Sequence, residues 1–406
     1  MPPLSLFKEN KTAIVASMTQ PELLEIVACG ETSRVQFKET LDNNDSIAAE
    51  IIALANTKGG MILFGVQDKT GAVKGLTYQQ IQDIGNKVAS IATELIKPQV
   101  FITTDVVPLH CNENVQHVLV VMVDEGIAKP YKDRFGVIWV KQGGDKRRLT
   151  DNNQQLRLFQ QSGLVYVDEM IVPDTSFADV YKDKVQEYLE KMQDDSIDLE
   201  EIDEQLCKNL NILKGASLTL GGLLFFGKRP QKTRPAFCVK AVSFIGNDIS
   251  SVDYRESRDI TGTIPVIYQE SLAFFDRHLF RTQQGQDFNS TGILEISEVA
   301  LQELMQNALT HRDYTKNAPI RIFIFDNRIE IISPGCLPNS LTIENIKLGN
   351  AVIRNNLIVS YASKLMRYRG IGSGIARALK RQPDIIFQDD REGEQFKVTI
   401  PRPPRP

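Results

Sequence analysis

The sequence has few of the residues and runs that mark specialised protein classes. Only five cysteines occur in 406 residues, and they are scattered along the chain. An odd, scattered set argues against a disulfide framework and predicts reduced thiols. No apolar run approaches the roughly 20 residues of a membrane helix, and the first residues lack the basic-then-apolar order of a secretory signal. We therefore expect a cytoplasmic protein with no membrane partner.

Charge of one sign is also missing. The chain has 47 Lys and Arg residues against 51 Asp and Glu residues, a net charge of −4. Because this balance gives no general attraction to polyanions, any nucleic-acid binding has to come from a local basic patch. Hydrophobic residues make up 42% and charged residues 24% of the chain, which predicts a soluble globular protein. Its length predicts two or three domains.

The first part of the chain alternates helix-like and strand-like segments. Ser46–Lys58 carries apolar residues at helical spacing, and the pair Gly59-Gly60 follows it as a helix stop. The next segment, MILFGV, is typical of a short buried strand. Later strands are predicted at Val118–Val123 and Val137–Lys141. We assign residues 1–155 to a first domain of mixed α/β structure.

The rest of the chain divides into a middle segment and a second compact domain. Residues 178–214 have helical character and strongly acidic stretches, so we assign residues 156–214 to an acidic helical linker. A clear helix is predicted at residues 296–310 in the second domain, residues 215–406. Strands are predicted at Leu218–Phe226, Cys238–Ile245, Ile320–Phe325, Arg328–Ile332 and Phe396–Ile400.

Residues 129–148, KPYKDRFGVIWVKQGGDKRR, form a local basic stretch. Seven cations and two Asp residues give it a net charge of +5. The cations are Lys129, Lys132, Arg134, Lys141, Lys146, Arg147 and Arg148. Tyr131, Phe135 and Trp139 are interleaved among them, so cations could contact phosphates while rings stack on bases. The alternative is a hairpin with solvated charges and Trp139 in the core.

Several spaced motifs in this region point to one family. They are ETSRVQFKE at residues 31–39, ANTKGG at 55–60, GVQD at 65–68, and the KPY and WVKQG segments of the basic stretch. Over about residues 22–150 the chain resembles the Schlafen-type AlbA domain. The resemblance implies an α/β module that binds nucleic acid, either DNA or RNA.

In vertebrate Schlafen relatives the acidic residues of this motif form a metal-dependent RNA-cleaving site. Clustered carboxylates bind Mg²⁺ or Mn²⁺ and activate water for attack on a phosphodiester. Here Gln36 stands at the second acidic position, which leaves Glu31, Asp68 and the nearby Lys38 as a possible nuclease remnant. An amide can bind a metal but adds no charge, so we expect nucleic-acid binding without efficient cleavage.

The predicted helix at 296–310 carries a polar stripe. Glu303, Asn307 and His311 are spaced four residues apart, which places them on one face. The opposite side is apolar and faces the core. Carboxylate and amide oxygens one turn apart suit a magnesium-nucleotide site. The alternative is an ordinary exposed helix face.

Two later segments strengthen the nucleotide interpretation. A strand in DNRIEIISPGCLP ends in Pro-Gly, and RGIGSGI at residues 369–375 has three alternate glycines entering a helix. Backbone amides of such a turn can cradle phosphates. In order and spacing, residues 215–405 resemble the divergent ATP-binding domain of the gyrase, MutL and histidine-kinase class, the Bergerat fold. This variant occurs behind Schlafen-type AlbA domains in proteins described as transcriptional regulators.

The resemblance implies specific roles. Glu303 would be the water-activating base of a weak ATPase, and Asn307 the Mg²⁺ ligand. Gly335 would lie under the adenine of ATP, and Gly370, Gly372 and Gly374 would line its phosphates. The family's adenine-reading Asp is replaced by Ser333 or is absent, so a charge-assisted hydrogen bond to adenine is missing. Domains of this class usually couple nucleotide binding to dimer contacts, so we expect a homo-oligomer.

Three interpretations remain open at this stage. The fold class in each is α+β or mixed α/β, an AlbA-like α/β domain followed by a Bergerat-like α/β sandwich. The first interpretation is a nucleic-acid-binding regulator that responds to a nucleotide. The second is a Schlafen-like metal-dependent endoribonuclease in nucleic-acid surveillance or phage defence. The third is a non-catalytic oligomeric scaffold.

Overall fold

The computed structural model describes residues 18–68, 70–111, 114–192, 202–283, 292–338, 341–366 and 372–403. The chain forms two compact units, Met1–Val165 and Tyr166–Pro406. Each unit has its own buried apolar clusters.

The first unit is built on a four-stranded sheet. Its helices are α1 (Gln20–Cys29), α2 (Asn44–Asn56), α3 (Tyr78–Ser90) and α4 (Asn152–Gln161). Its strands are β1 (Val35–Lys38), β2 (Gly60–Phe64), β3 (Ile96–Lys97), β4 (Ile102–Cys111), β5 (Asn114–Val123), β6 (Lys132–Asp133), β7 (Trp139–Gln142) and β8 (Asp145–Arg148). The sheet order is β1-β2-β5-β4, and β7 pairs with β8 as a separate hairpin.

Helix α2 is the crossover that joins the parallel strands β1 and β2. The side chain of Asn43 accepts a hydrogen bond from the Ser46 amide and begins the helix. The chain then turns at Gly59, where φ is +66° and a Cβ would lie 2.7 Å from the Val123 carbonyl oxygen. Only glycine fits at this position of the turn. The turn allows the strand that follows, β2, to pair directly with β5.

The second unit contains a six-stranded sheet. Its helices are α5 (Lys182–Met192), α6 (Glu204–Asn209), α7 (Leu220–Phe226), α8 (Pro230–Thr233), α9 (Ile264–His278), α10 (Glu298–His311), α11 (Ile343–Lys347), α12 (Asn356–Leu365) and α13 (Gly374–Arg381). Its strands are β9 (Leu213–Lys214), β10 (Ser217–Leu218), β11 (Val239–Phe244), β12 (Tyr254–Ile260), β13 (Arg281–Thr282), β14 (Ile293–Leu294), β15 (Ile320–Ile324), β16 (Arg328–Pro334), β17 (Ile386–Asp390) and β18 (Gln395–Pro401).

This sheet has the order β12-β11-β15-β16-β18-β17, with β11 and β15 parallel and the other neighbours antiparallel. The large core of the unit joins helices α9, α10 and α12 to one face of the sheet. A small cluster of Phe244, Phe323, Phe325 and Ile332 packs separately. Helices against a sheet in this unit, and mixed helices and strands in the other, confirm the predicted α+β class.

The strand predicted at Leu218–Phe226 is wrong. Most of this segment is helix α7, which begins where the Thr219 hydroxyl accepts a hydrogen bond from the Gly222 amide. All seven residues of the helix are buried. An apolar segment buried on every side shows no helical periodicity, so its pattern cannot distinguish a helix from a strand.

The structure places residues 166–214 inside the second unit, whereas the sequence suggested a linker at 156–214. Their apolar side chains belong to the main core of that unit: Val167, Val172, Val180, Val185, Tyr188, Leu189, Cys207, Ile212 and Leu213. The acidic residues at 193–201 that suggested a linker lie outside the described residues. The acidic composition therefore suggested a linker, although the two amphipathic helices α5 and α6 pack into the core.

Candidate functional sites

Helix α10 supplies one wall of a cavity in the second unit. Glu303, Asn307 and His311 all line this cavity, as their four-residue spacing predicts. On the opposite side of the helix, Leu301 and Met305 are buried in the core. The space within the cavity is about 1050 Å³, a figure that includes open solvent at its mouth.

Glu303 is held by a residue that sequence reasoning missed. One oxygen of its carboxylate, Oε1, accepts a hydrogen bond from Arg377 Nε at 2.8 Å and lies 2.7 Å from Nη2 of the same guanidinium. Arg377 Nη1 also donates to the Ser373 hydroxyl at 2.7 Å. The pair joins α10 to α13, and it lies at the cavity wall. Its signal in the sequence was weak because 74 residues separate the two partners.

The start of α13 faces the polar stripe of α10. A Cβ on Gly374 would lie 2.7 Å from Glu303 Oε2 and 3.5 Å from Asn307 Nδ2. Gly372 has a φ of +74° and packs against the Gly349 carbonyl. Both glycines line the cavity that Asn307 also lines. Gly370, also predicted to contact phosphates, lies outside the described residues.

Asn307 is the most available polar group of the stripe. Among the residues that the structure describes, its amide makes no hydrogen bond, although the side chain is partly buried at the cavity wall. A partly buried amide without a protein partner has its full hydrogen-bonding capacity available to a ligand. The site thus offers one neutral oxygen next to the glycine turn.

Gly335 and Ser333 lie at the end of β16, elsewhere on the same cavity wall. Gly335 has a φ of +96°, and a Cβ there would lie 2.9 Å from Arg354 Nη1. Glycine is therefore required at this position. The Ser333 hydroxyl donates to the Ala308 carbonyl at 3.2 Å. This leaves only its oxygen lone pairs for a ligand.

His311 is neutral at physiological pH. Burial, and then the positive charge of Arg354, lower the pKa of His311 from 6.5 to about 4. Arg354 itself donates to the Cys336 carbonyl at 2.7 Å. Because His311 is neutral, His311 and Arg354 together carry one positive charge, that of Arg354. The positive charge of Arg377 is balanced by Glu303.

The remaining wall of the cavity is largely apolar. Its apolar members include Leu304, Ile331, Leu341, Ile346, Phe387, Phe396 and Val398. An apolar slot suits a flat ring, and the polar group of Glu303, Asn307 and the glycine turn suits a charged tail with a metal ion. The arrangement therefore fits an amphiphilic ligand such as a nucleotide.

In the first unit, the predicted acidic residues do not form one carboxylate cluster. Glu31 accepts hydrogen bonds from the Gln36 side chain and, at 2.9 Å, from the Phe37 amide. Asp68 forms an ion pair with Lys38. Within the described ranges, no group of three or more His, Cys, Asp or Glu side chains could hold a metal ion.

The centre of this region is Glu50, a residue that sequence reasoning missed. Lys141 donates to Glu50 at 3.1 Å and to the Gln36 side-chain oxygen at 2.6 Å, and Lys146 donates to Glu50 at 2.8 Å. Glu50 is only 4% exposed. A single charge inside the apolar run SIAAEIIALAN was the available signal, because a buried carboxylate needs a cationic partner.

The predicted basic residues separate into buried and exposed groups. Lys129 is 2% exposed and donates to Glu125 and to the Thr57 carbonyl, and Lys141 is equally engaged inside the fold. The structure assigns these two residues to internal ion pairs, which is a correction to their predicted place on the surface. Partly or fully exposed cations remain at Lys132, Arg134, Lys146, Arg147 and Arg148.

The aromatic residues of the same stretch also separate. Tyr131 is buried in the core, and the Trp139 indole N–H donates to Asp133 Oδ2 at 2.8 Å. Phe135 is 70% exposed.

No helix in the part of the chain that the structure describes is both long and apolar enough to span a membrane.

Comparison with protein families agrees with this geometry. Residues 31–150 match the family described as "Schlafen, AlbA_2", and residues 317–400 match "Putative ATP-dependent DNA helicase recG C-terminal". Residues 156–240 match a family described as a domain of unknown function.

No curated protein matches the chain. The crystal structure of the DIP2311 protein from Corynebacterium diphtheriae aligns with a TM-score of 0.45 and 20% identity, over 94% of this chain and 80% of that one. The family matches confirm the resemblance read from the motifs: the chain carries a Schlafen AlbA_2 domain at residues 31–150 and a recG C-terminal ATPase-like domain at residues 317–400.

Proposed function

We propose that the second unit binds a purine nucleotide with Mg²⁺ in the α10 cavity, and that the first unit binds nucleic acid. The protein would then be a transcriptional regulator that binds nucleic acid and responds to a nucleotide. The two family matches support a nucleic-acid-related, ATP-binding protein. The finer roles are our proposal.

The single observation that carries the nucleotide proposal is the convergence at Asn307. Residues from α10, the end of β16 and the start of α13 line one cavity, although they lie up to 71 positions apart. The unpartnered Asn307 amide lies next to the Gly374 backbone. An amide oxygen beside the backbone amides of a helix start, where phosphate is favoured, supports the proposal of a metal-nucleotide site.

Each wall of the cavity has a distinct role in this proposal. Ile331, Phe396 and Val398 would bury the base, and the oxygen of Ser333 would accept from it. The amides at the start of α13 would orient the phosphates. Mg²⁺, held through Asn307, would neutralise phosphate charge. Glu303 would accept a proton from water through Oε2, because Arg377 engages the other carboxylate oxygen, Oε1.

Calorimetry with ATP, ADP and GTP in the presence of Mg²⁺ tests the proposal. Wild-type protein should bind at least one purine nucleotide, and Asn307→Ala should abolish detectable binding because the metal loses its protein ligand. Gln302→Ala, on the same helix but outside the cavity lining, is the matched control and should bind like wild type. Absence of binding by wild type at millimolar nucleotide would contradict the proposal.

The nucleic-acid part depends on the exposed cations of the β6–β8 region. Arg134, Arg147 and Arg148 are exposed in a chain that carries a net charge of −4. Local positive charge in an acidic protein supports binding to a polyanion at this place. The nuclease alternative receives no support from the geometry, because Glu31 and Asp68 are each engaged elsewhere.

A further inference from the structure

We propose that the β6–β7 turn is a base-stacking platform and that the first unit therefore prefers single-stranded nucleic acid to a duplex. This inference rests on the proposed nucleic-acid binding and specifies its substrate class. The platform consists of Phe135 and Arg134 on the turn, with Arg148 on the neighbouring Trp139.

The turn that carries Phe135 is rigidly built. Asp133 Oδ1 accepts hydrogen bonds from the amides of Phe135 and Val137, both at 2.9 Å, and the Gly136 amide donates to the Asp133 carbonyl at 2.9 Å. The second carboxylate oxygen of Asp133 accepts from the Trp139 indole. One side chain therefore fixes both the turn and the neighbouring ring. A ring presented by a fixed turn loses little conformational entropy when it binds a ligand.

Phe135 is open to solvent yet already stacked on a cation. The residue is 70% exposed, and the Arg134 guanidinium lies 4.8 Å from the ring centroid. Arg134 is held in place by Asp45 at 2.7 Å. One face of the ring is thus covered by a positive charge, and the exposed remainder can receive a flat base.

A second cation lies over Trp139, whose indole is bound by the same Asp133 that fixes the turn. Arg148 lies 5.3 Å from the Trp139 ring centroid, and the two residues are opposite each other in the β7–β8 register. Arg147 alternates to the other face, where its partner Val140 packs on a separate apolar cluster. The face that carries Trp139 therefore includes Arg148 and excludes Arg147.

This geometry distinguishes a single strand from a duplex. In a duplex each base face is covered by its neighbours, so an exposed ring can stack only at an end. In a single strand, bases can turn out and stack on an aromatic ring, while the nearby arginines contact phosphates. Stacking is indifferent to the sugar, so single-stranded DNA and RNA are both expected to bind.

Fluorescence anisotropy with the full-length protein tests the inference. The probes are a labelled 20-nucleotide single-stranded DNA, an RNA of the same sequence, and the blunt DNA duplex. Wild type should bind both single strands more tightly than the duplex. Phe135→Ala should weaken single-strand binding roughly tenfold, the usual effect of removing one stacked ring, and Phe135→Trp should restore it.

Matched variants separate stacking from charge and folding. Tyr78→Ala removes an equally exposed ring, 68% exposed at the start of α3, and should bind like wild type. Arg148→Ala should lower the salt slope by about 0.7 for single strands, whereas Arg147→Ala should lower it less. The fluorescence of Trp139, the only tryptophan of the chain, should change when a single strand binds.

Two results would overturn the inference in distinguishable ways. Equal binding of single strands and duplex, with Phe135→Ala unchanged, would reject the stacking platform and leave nucleic-acid binding intact. Failure of wild type to bind any of the three probes would reject both the platform and the proposed nucleic-acid function.

Discussion

At the residue scale, the contact between Glu303 and Arg377 has two consequences. The side chains are 12% and 33% exposed, so the pair is largely removed from water and stabilises the packing of α13 on α10. The same contact engages one carboxylate oxygen, Oε1, and leaves Oε2 outside the ion pair. The fold thus gives Glu303 a structural role, and its role as a base stays a prediction.

A double-mutant cycle measures the structural role. Glu303→Gln and Arg377→Met should each lower the free energy of unfolding by about 1–2 kcal/mol, a partly exposed pair being worth less than a fully buried one. Because each change removes the same interaction, the double variant should lose clearly less than the sum of the two. Urea denaturation followed by circular dichroism provides the values. Strict additivity would show that the two side chains do not stabilise each other.

At the element scale, helix α12 follows directly after the cavity wall at Arg354. Its first turn is capped by Asp168, which is fully buried and accepts a hydrogen bond from the Ile358 amide at 2.9 Å. Burial raises the pKa of Asp168 from 3.8 to about 6, and the amide hydrogen bond opposes that rise. A segment first assigned to a linker therefore holds a wall of the candidate site.

The sign of the resulting pH dependence follows from the raised pKa. Between pH 3.8 and about 6 the folded protein binds the proton more tightly than the unfolded chain, so this group's stabilising contribution is lost as pH rises through about 6. Asp168→Asn keeps an oxygen acceptor without charge. It should raise the free energy of unfolding at pH 7 by about 1–2 kcal/mol relative to wild type.

Denaturation of wild type, Asp168→Asn and Asp168→Ala at pH 5 and pH 7 provides the comparison. The Ala variant should be less stable than the Asn variant at both pH values, because the cap is lost and a small cavity remains. An Asn variant whose gain is the same at both pH values would show that Asp168 does not titrate in this range.

At the scale of the whole molecule, each unit contains its own apolar core. The core of the second unit includes nine side chains from residues 167–213, so this unit needs the segment that the sequence assigned to a linker. The boundary between the units lies at Val165 and Tyr166. Whether a fragment of the chain folds should therefore depend on where the chain is divided.

Fragments provide the test. Residues 1–165 and 166–406 should each fold when produced alone and unfold cooperatively, because each retains a complete core. Residues 215–406 should be insoluble or molten, since deletion of the preceding segment exposes Leu223, Phe225 and Phe226. Far-ultraviolet circular dichroism and thermal melting distinguish these outcomes. Cooperative folding of residues 215–406 would restore the linker interpretation.

Much of the local structure and the cavity stripe followed from the sequence. The spacing of Glu303, Asn307 and His311 predicted one helix face, and the three side chains do line one cavity. Gly372 and Gly374 line the same cavity, and their predicted contact with phosphates stays a prediction. The helix face could be predicted because helical periodicity is a property of a few consecutive residues.

The tertiary structure decided which charges are free and which are engaged. Lys141 reaches Gln36 across 105 positions, and Arg377 reaches Glu303 across 74. The sequence identified Lys129 and Lys141 as cations but could not show that both are buried, whereas Phe135 four residues from Tyr131 is open. Burial and ion pairing depend on the packing of distant elements, because desolvation is set by everything that surrounds a group rather than by its neighbours in the chain.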